Sequence, residues 1–401
     1  MTAGEEIAFS GPYVSDAQRA AAGRETVAAR MRTLLPGNRQ RAAAAYAVGG
    51  LPDGAEVLRV WSPRDLAELR GRLGDGHFTV WAQDDVLHVL WRGEAEQVVL
   101  GGGVHAAMWP VDGDGGLWEA SLRVRRLDDA VIMIAVMALG AADLPFGRPM
   151  TDMMIWRGPR APLAPADDAP LAAQVREHVI DSAALRGPRP VSVYVPPGDA
   201  GGGPLPGCVL ADGQSVAAFA RVLEPAIVSG AAPAVVLVGV HSAEDAGKKA
   251  DPRGQEYLPG WNPRRFAAHM SFVTEEVIPW ARSSFPVAAG PWVCAGFSNG
   301  AAWAIGAAQR RPDVFGGVAA FSAGIVPKRV TRASREVRYY LAAGVLEEGF
   351  RRSTGEWADR LRRAGVPCSH HEWAGGHDPF WWYQSLPEAL AWLLASGTQG
   401  G

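Results

Sequence analysis

The chain has 401 residues, of which 48% are hydrophobic and 20% are charged, and its formal net charge is −3. This length favours two domains, and the composition is that of a globular protein with enough apolar residues for buried cores. The small negative charge argues against a general nucleic-acid binder, and no apolar run reaches transmembrane length, so we expect neither a nucleic acid nor a membrane as partner.

Two further features concern the cellular compartment. The N-terminus has neither a basic start nor an apolar core, so the sequence shows no signal peptide and predicts a cytoplasmic protein. Cys208, Cys294 and Cys368 lack the spacing of metal ligands, and two of them lie in apolar, strand-like runs. We expect buried, unpaired thiols in a reducing compartment, and we predict no metal site.

Residues 1–165 are predicted to form an N-terminal domain. The stretch 13–46 is rich in Ala and Arg and favours helices, whereas from Phe78 the apolar residues recur with a period of two. Short strands parted by Gly and Asp turns favour a β-sandwich over about 75–160; they are expected at 78–81, 86–91, 97–100, 118–124 and 131–139. We interpret their tryptophans as core residues, with a ligand platform as the alternative. A Pro- and Ala-rich segment at 160–170 marks the domain boundary.

Residues 166–401 alternate between strand-like and helix-like segments, which predicts a doubly wound α/β catalytic domain. Ligands of such sheets bind at the carboxyl ends of the strands. Four strand ends are followed by polar residues that we expect to meet at one edge, namely Ser298, Asp212-Gly213-Gln214, Glu347 and His377. The strands are expected at 190–196, 207–211, 234–240, 291–297, 318–322 and 338–343, and helices at 215–228, 266–283 and from 379 to about 395.

The stretch Gly296-Phe297-Ser298-Asn299-Gly300 has the G-x-S-x-G pattern of a nucleophile elbow, between an apolar strand and a helix of small residues. Such a corner forces Ser298 toward a positive φ. The residues two before and two after it must then be small, so that the strand and the helix can pass closely. Ser298 is therefore the predicted nucleophile, and a turn serine without chemistry is the alternative.

A serine hydroxyl needs a neighbouring base, and that base needs a third group to orient it. Downstream of the elbow the histidines are His370, His371 and His377. The first two lie in a strand-like segment, whereas His377 lies in the loop beyond it, where the base of an α/β-hydrolase is expected. Asp378 is followed by Pro379, and we interpret it as the N-cap of the last helix rather than as the partner of the base.

The third group must be a carboxylate at another strand end. Glu347 and Glu348 both fit, and composition does not separate them; Asp359, in a later helix, is interpreted as a solvated charge. An oxyanion hole needs two backbone N–H groups. One is expected from Asn299, the residue after the nucleophile, and the other from the Asp212-Gly213-Gln214 loop.

Five motifs occupy these positions: Asp212-Gly213-Gln214, Arg253-x-x-Glu256-Tyr257-Leu258, Gly296-x-Ser298-x-Gly300, Gly344-x-x-Glu347 and Gly375-Gly376-His377-Asp378-x-x-x-Trp382. Together they resemble the enterochelin (ferric enterobactin) esterase family, in the esterase-D-type branch of the α/β-hydrolases, over about 170–395. The resemblance implies an α/β-hydrolase domain preceded by an immunoglobulin-like β-sandwich domain. It also implies Glu347, three residues after its glycine, as the acid, and the Gln214 N–H as the second oxyanion donor.

The predicted substrate-binding residues are Asp212, Gly213, Arg253 and Trp382. Arg253 belongs to a basic loop that either attracts an anionic ferric catecholate or is an ordinary solvated loop; its other members are Lys248, Lys249, Arg264 and Arg265. Trp382 and its aromatic neighbours either line a site for an aromatic acyl group or pack the last helix; these neighbours are Trp261, Trp381 and Tyr383.

The predicted function is that of a serine esterase that hydrolyses a tri-ester siderophore or a similar macrolactone through an acyl-enzyme. Ser298, His377 and Glu347 are the predicted catalytic residues, and a small-molecule ester is the predicted partner. This chemistry needs no metal or organic cofactor, and iron would enter only with the substrate. The alternatives are a feruloyl or acetyl esterase acting on decorated carbohydrate, an acyltransferase that uses the same acyl-enzyme, and a binding protein built on an inactive hydrolase.

Overall fold

The computed structural model of the protein describes residues 9–10, 55–58, 66–104, 106–111, 113–140, 150–163, 170–197, 203–243 and 251–395. The helices predicted within 13–46 lie outside these ranges, as do Lys248 and Lys249 of the predicted basic loop. Among the described residues, no helix combines the length and the apolar character that crossing a membrane requires.

The N-terminal part contains one described helix, α1 (Leu66–Leu73), and ten short strands. All five predicted strands are present, whereas α1 and the first, second, sixth, seventh and tenth strands were not predicted. The strands are β1 (Phe9–Ser10), β2 (Ala55–Leu58), β3 (Phe78–Gln83), β4 (Val86–Arg92), β5 (Gln97–Gly102), β6 (Ala106–Ala107), β7 (Trp109–Pro110), β8 (Leu117–Val124), β9 (Val131–Leu139) and β10 (Asp152–Arg157).

All of these strands except β1 form two antiparallel sheets that share one buried core. One sheet has the order β2-β8-β4-β3 with β7 paired to β8, and the other has the order β10-β9-β5-β6. Trp91 and Trp118 are buried in the shared core, which supports the interpretation of these two tryptophans as core residues. The immunoglobulin-like character of this part stays a prediction.

The C-terminal part is built on one eight-stranded sheet of the order β11-β12-β14-β13-β15-β16-β18-β19. The first three strands of that order pair antiparallel and all the others pair parallel. The bounds are β11 (Val175–Ser182), β12 (Gly187–Tyr194), β13 (Gly207–Ala211), β14 (Val236–Val240), β15 (Trp292–Phe297), β16 (Phe315–Phe321), β18 (Arg338–Gly344) and β19 (Cys368–Trp373); the separate strand β17 (Val326–Pro327) pairs with β1.

Helices cover both faces of this sheet, as a doubly wound fold requires. Along β13, Cys208 and Leu210 face one buried cluster while Val209 and Ala211 face the other, because successive residues of a strand point to opposite faces. The helices are α2 (Val216–Val228), α3 (Pro252–Tyr257), α4 (Pro263–Ser271), α5 (Ile278–Ser284), α6 (Asn299–Arg310), α7 (Glu348–Arg363) and α8 (Pro379–Leu394). The predicted helix at 266–283 is interrupted by a π-helical segment at Phe272–Val277.

This α/β-hydrolase-like topology determines where the polar loops lie. The strands β13, β15, β18 and β19 run parallel, so their carboxyl ends share one edge of the sheet. They end at Ala211, Phe297, Gly344 and Trp373, each just before one of the predicted loops. The expected convergence of four loops at one edge therefore follows from the strand order.

Candidate active site

Ser298 forms the sharp corner between β15 and α6. Its backbone has φ 55° and ψ −123°, a conformation that residues with a side chain rarely adopt. Its N–H donates to the Phe321 carbonyl at 2.9 Å, which ties the corner to the neighbouring strand β16. A Cβ on Gly296 would lie 2.5 Å from the carbonyl atoms of Gly300, so the close passage of strand and helix requires glycine at this position.

Glu347 and His377 form a hydrogen-bonded pair at the same edge. His377 Nδ1 lies 2.6 Å from Glu347 Oε2, and the two side chains are 23% and 3% exposed. An ionised carboxylate only accepts hydrogen bonds, so Nδ1 carries a proton, and in the neutral ring Nε2 is then the acceptor. Phe350 stacks on the imidazole with ring centroids 4.1 Å apart, which fixes the plane of the ring. Among the described residues, no hydrogen bond joins the Ser298 hydroxyl to His377.

The second oxygen of Glu347 is held by a chain of buried donors. Glu347 Oε1 accepts from the Gly344 N–H at 2.6 Å and from the Ser322 hydroxyl at 2.7 Å. The Ser322 oxygen in turn accepts from Trp382 Nε1 at 2.8 Å. Both carboxylate oxygens thus have hydrogen-bond partners, and the Glu347 side chain is fixed in one orientation toward His377.

Sequence reasoning assigned Ser322 no role, although a signal for it exists. Like Asp212 and Ser298, Ser322 follows directly after a strand of the parallel sheet. All three residues have a positive φ, of 59°, 55° and 55° respectively. A small polar residue just after an apolar strand in such a sheet is therefore a candidate for the site even when no motif contains it.

Replacing Ser322 by Ala tests its contribution. The change leaves the Trp382 N–H buried without its acceptor, which should lower the free energy of unfolding by about 1–3 kcal/mol. Because Glu347 also loses a donor, we expect kcat to fall about tenfold, the effect of about 1.4 kcal/mol in the barrier. Thermal unfolding and ester hydrolysis measure the two effects.

A matched control is Ser334→Ala. Ser334 is also fully buried and accepts from Gln309 Nε2 at 2.9 Å, but its partners lie outside the Glu347 chain. The Ser334→Ala variant should have a lower free energy of unfolding than wild type and an unchanged kcat. A kcat loss of the same size in both variants would show that Ser322 acts through general stability alone.

The second loop of the edge begins at Asp212 and carries Gln214. Asp212 has φ 59° and ψ 55°, and a Cβ on Gly213 would lie 2.2 Å from the Gly239 carbonyl oxygen, so only glycine fits there. The Gln214 side chain donates to Ser242 Oγ at 3.0 Å. Gln214 lies in a short 3₁₀ turn and Asn299 is the first residue of α6, so the N–H groups of both lack partners within their own helical turns.

Arg253 forms an ion pair inside the protein rather than lying free in the predicted basic loop. Glu256 lies three residues further along the same helix, a spacing that allows an ion pair, but Arg253 pairs with Asp212, and Glu256 pairs with Arg189. Arg253 is therefore engaged inside the protein. Arg264 and Arg265, its neighbours from the predicted basic loop, are exposed on α4.

The other predicted substrate-binding residues are also buried and bonded within the chain. Asp212 is 2% exposed, Gly213 is buried, and Trp382 is buried with its indole N–H on Ser322. Trp382 meets the His377 ring edge-on at 4.8 Å and stacks on Phe297 at 4.3 Å. These residues therefore form part of the buried structure at the carboxyl ends of the strands, and their contact with a substrate stays a prediction.

His370 and His371 lie along β19 and away from the Glu347 pair. His371 stacks on Tyr340 with ring centroids 4.7 Å apart on one face of the sheet. On the other face, the His370 ring lies beside Gly355 of α7, where an added Cβ would be 3.7 Å from the ring. Burial lowers the pKa of His370, which opposes its protonation. The segment predicted to be strand-like is thus a strand, and its two histidines point to opposite faces of the sheet.

Asp378 caps α8 as predicted, with its side chain accepting from the Phe380 N–H at 3.0 Å. It is only 2% exposed, and burial raises its pKa to about 7, with the nearby Glu347 carboxylate acting in the same direction. Asp378 therefore stabilises the folded state most when it is protonated. This contribution is complete at a pH below the ordinary pKa of 3.8, and it is lost as the pH rises through about 7.

The N-terminal part supports the loops that carry Glu347 and His377. The Val131 N–H donates to the Ala374 carbonyl at 3.1 Å, and Trp381 Nε1 donates to the Val131 carbonyl at 3.1 Å. Val345 and Leu346, just before Glu347, are buried in the core that the two N-terminal sheets share. No sequence motif indicated this contact between the two parts of the chain.

Comparison with solved structures shows the same fold over most of the chain. The enterobactin esterase of Shigella flexneri, solved in the presence of enterobactin, is 18% identical with a TM-score of 0.58, and the match covers 85% of this chain and 95% of that one. The same esterase in the presence of 2,3-di-hydroxy-N-benzoyl-serine is 17% identical with a TM-score of 0.57, covering 82% and 98%. The ferric enterobactin esterase of Salmonella typhimurium is 18% identical with a TM-score of 0.59, covering 85% and 96%.

Sequence comparison gives one family and no curated relative. No curated protein matches the sequence. The model of the Esterase family matches residues 182–393, which is more than half of the chain. The matched residues include Asp212, Ser298, Glu347 and His377. The chain therefore belongs to the Esterase family.

Proposed function

We propose that this chain is a serine esterase in which Ser298 is the nucleophile, His377 the general base and Glu347 the group that orients the base. The observation that carries the proposal is the 2.6 Å contact of Glu347 Oε2 with His377 Nδ1 at the strand edge where Ser298 forms its corner. That contact leaves Nε2 as the only ring nitrogen able to take a proton from a serine.

The proposed reaction has two halves. Ser298 Oγ attacks the ester carbonyl while His377 Nε2 takes its proton, and the N–H groups of Asn299 and Gln214 donate to the oxyanion. The intermediate then expels the alcohol, which receives the proton from His377, and an acyl-enzyme remains. Water attacks the acyl-enzyme with His377 as base, the acid product leaves, and Ser298 recovers its proton.

For the substrate we propose a tri-ester siderophore of the enterobactin type or a similar macrolactone. The support is the extent of the likeness to the enterobactin esterases, which covers 85% of this chain and so includes both its C-terminal and N-terminal parts. Because the N-terminal part contacts the histidine loop, a shared two-part architecture implies a similarly constructed site.

A second candidate is an esterase for uncharged aromatic esters such as feruloyl esters. The engagement of Arg253 by Asp212 favours it, because this removes the arginine that was expected to attract an anionic ferric catecholate. The aromatic rings of Phe350 and Trp382 beside His377 suit an aromatic acyl group in either case.

Hydrolysis of a panel of esters tests the choice. We expect kcat/KM for the enterobactin trilactone to exceed that for methyl ferulate and for p-nitrophenyl acetate by at least about tenfold, a difference of about 1.4 kcal/mol in the transition state. Chromatography of the released 2,3-dihydroxy-N-benzoyl-serine measures the first reaction, with Ser298→Ala protein as the blank. A preference for methyl ferulate would reject the siderophore and select the second candidate.

A further inference from the structure

Arg253 and Asp212 form a buried ion pair at the start of the loop that carries Gln214. Nε and Nη2 of Arg253 donate to Oδ1 and Oδ2 of Asp212 at 2.6 and 2.7 Å, and the side chains are 25% and 2% exposed. Two parallel hydrogen bonds from a planar guanidinium restrict a carboxylate in both position and orientation. The pair therefore fixes the Asp212 side chain from α3.

The backbone of Asp212 is held from the same helix. Its left-handed conformation is unfavourable for a residue with a Cβ, so it persists only where neighbouring contacts impose it. Its N–H donates to Tyr257 Oη at 2.9 Å, and Tyr257 is fully buried. The Arg253 guanidinium lies 5.2 Å from the centroid of the Tyr257 ring. Two residues of α3 thus hold both the side chain and the backbone of the residue that starts the turn.

We propose that Arg253 is a positioning residue for the oxyanion hole, acting through Asp212 to direct the Gln214 N–H rather than by binding an anionic substrate. The proposal rests on the proposed function, in which that N–H donates to the oxyanion. Burial opposes the charge of Arg253, but the hydrogen bonds and the charge of Asp212 together raise its pKa, so the guanidinium stays charged. A misdirected donor weakens transition-state stabilisation, so its loss should appear in kcat rather than in KM.

The chain offers a matched control on the same helix. Arg189 donates to both carboxylate oxygens of Glu256 at 2.8 Å, and these side chains are 12% and 6% exposed. This second pair anchors α3 to β12 instead of to the Gln214 loop. Arg189→Gln therefore leaves a buried carboxylate unpaired, as Arg253→Gln does, without removing the contact to Asp212.

The test compares three variants on a neutral p-nitrophenyl ester and in their rate of labelling by a fluorophosphonate. For Arg253→Gln and Asp212→Asn we expect kcat and the labelling rate to fall by about 10- to 100-fold, with KM changed less than about twofold. Arg189→Gln should lower the melting temperature and keep kcat within about twofold of wild type. An equal loss of kcat in Arg189→Gln, or a raised KM with unchanged kcat in Arg253→Gln, would overturn the proposal.

A double variant covers the case in which Arg253→Gln fails to fold. Asp212→Asn combined with Arg253→Gln removes both charges, so no buried carboxylate is left unpaired. Because the restraint on the loop is still absent, we expect a low kcat in the double variant, and recovery of wild-type kcat would refute the positioning role. Failure of the proposed function has a different signature, since wild-type protein would then not be labelled at Ser298, which would refute the serine mechanism and the positioning role with it.

Discussion

Ser298→Ala should fold normally and lose about four or more orders of magnitude in kcat, because without the hydroxyl no acyl-enzyme forms. Only binding and the oxyanion donors then remain to assist the attack of water. Labelling by a fluorophosphonate should disappear together with turnover. Steady-state hydrolysis of a p-nitrophenyl ester measures the first effect, and mass spectrometry of the intact protein measures the second.

Ser298→Gly is the matched variant for this experiment. It should be as inactive as Ser298→Ala but more stable, because glycine adopts φ 55° and ψ −123° without the strain of about 1–3 kcal/mol that a Cβ brings. A melting temperature of Ser298→Gly above that of Ser298→Ala would show that the backbone strain lies at the position of the proposed nucleophile. Turnover of Ser298→Ala within tenfold of wild type would show that the elbow does not supply the nucleophile.

The location of the candidate site, at the carboxyl ends of the parallel strands, could be predicted because it follows from simple patterns. Apolar runs mark the strands, parallel strands end at a common edge, and a polar residue after each strand must lie there. This reasoning gave Ser298, His377 and the two glutamates. It did not separate Glu347 from Glu348, because the choice depends on how the turn after Gly344 aims each side chain.

The partners of the buried charges could not be predicted, because they come from distant parts of the chain. Arg253 and Glu256 lie three residues apart on one short helix, a spacing that allows an ion pair, but the partner of Arg253 is Asp212 and the partner of Glu256 is Arg189. A buried charge needs a partner with good hydrogen-bond geometry, and tertiary packing, not sequence distance, determines which partner can provide it. The contact of Ser322 with Glu347 was missed for the same reason.

Glu347→Gln should reduce kcat by about two to four orders of magnitude through the tautomer of His377. Glu347 Oε1 accepts hydrogen bonds from the Gly344 N–H and the Ser322 hydroxyl. In the glutamine variant these two donors hold the amide oxygen at the position of Oε1. The amide NH₂ then faces His377 Nδ1, which must become an acceptor and move its proton to Nε2. A histidine protonated at Nε2 cannot take the proton of Ser298.

Glu348→Gln separates this effect from a general effect of charge. It removes one negative charge at the next position of the chain, the first residue of α7, and should change kcat by less than about twofold because the hydrogen bond between Glu347 and His377 is left intact. The kcat of both variants is compared with wild type on one neutral ester, with thermal unfolding as the check on folding. Equal losses at both positions, or a larger loss in Glu348→Gln, would reject Glu347 as the residue that orients the base.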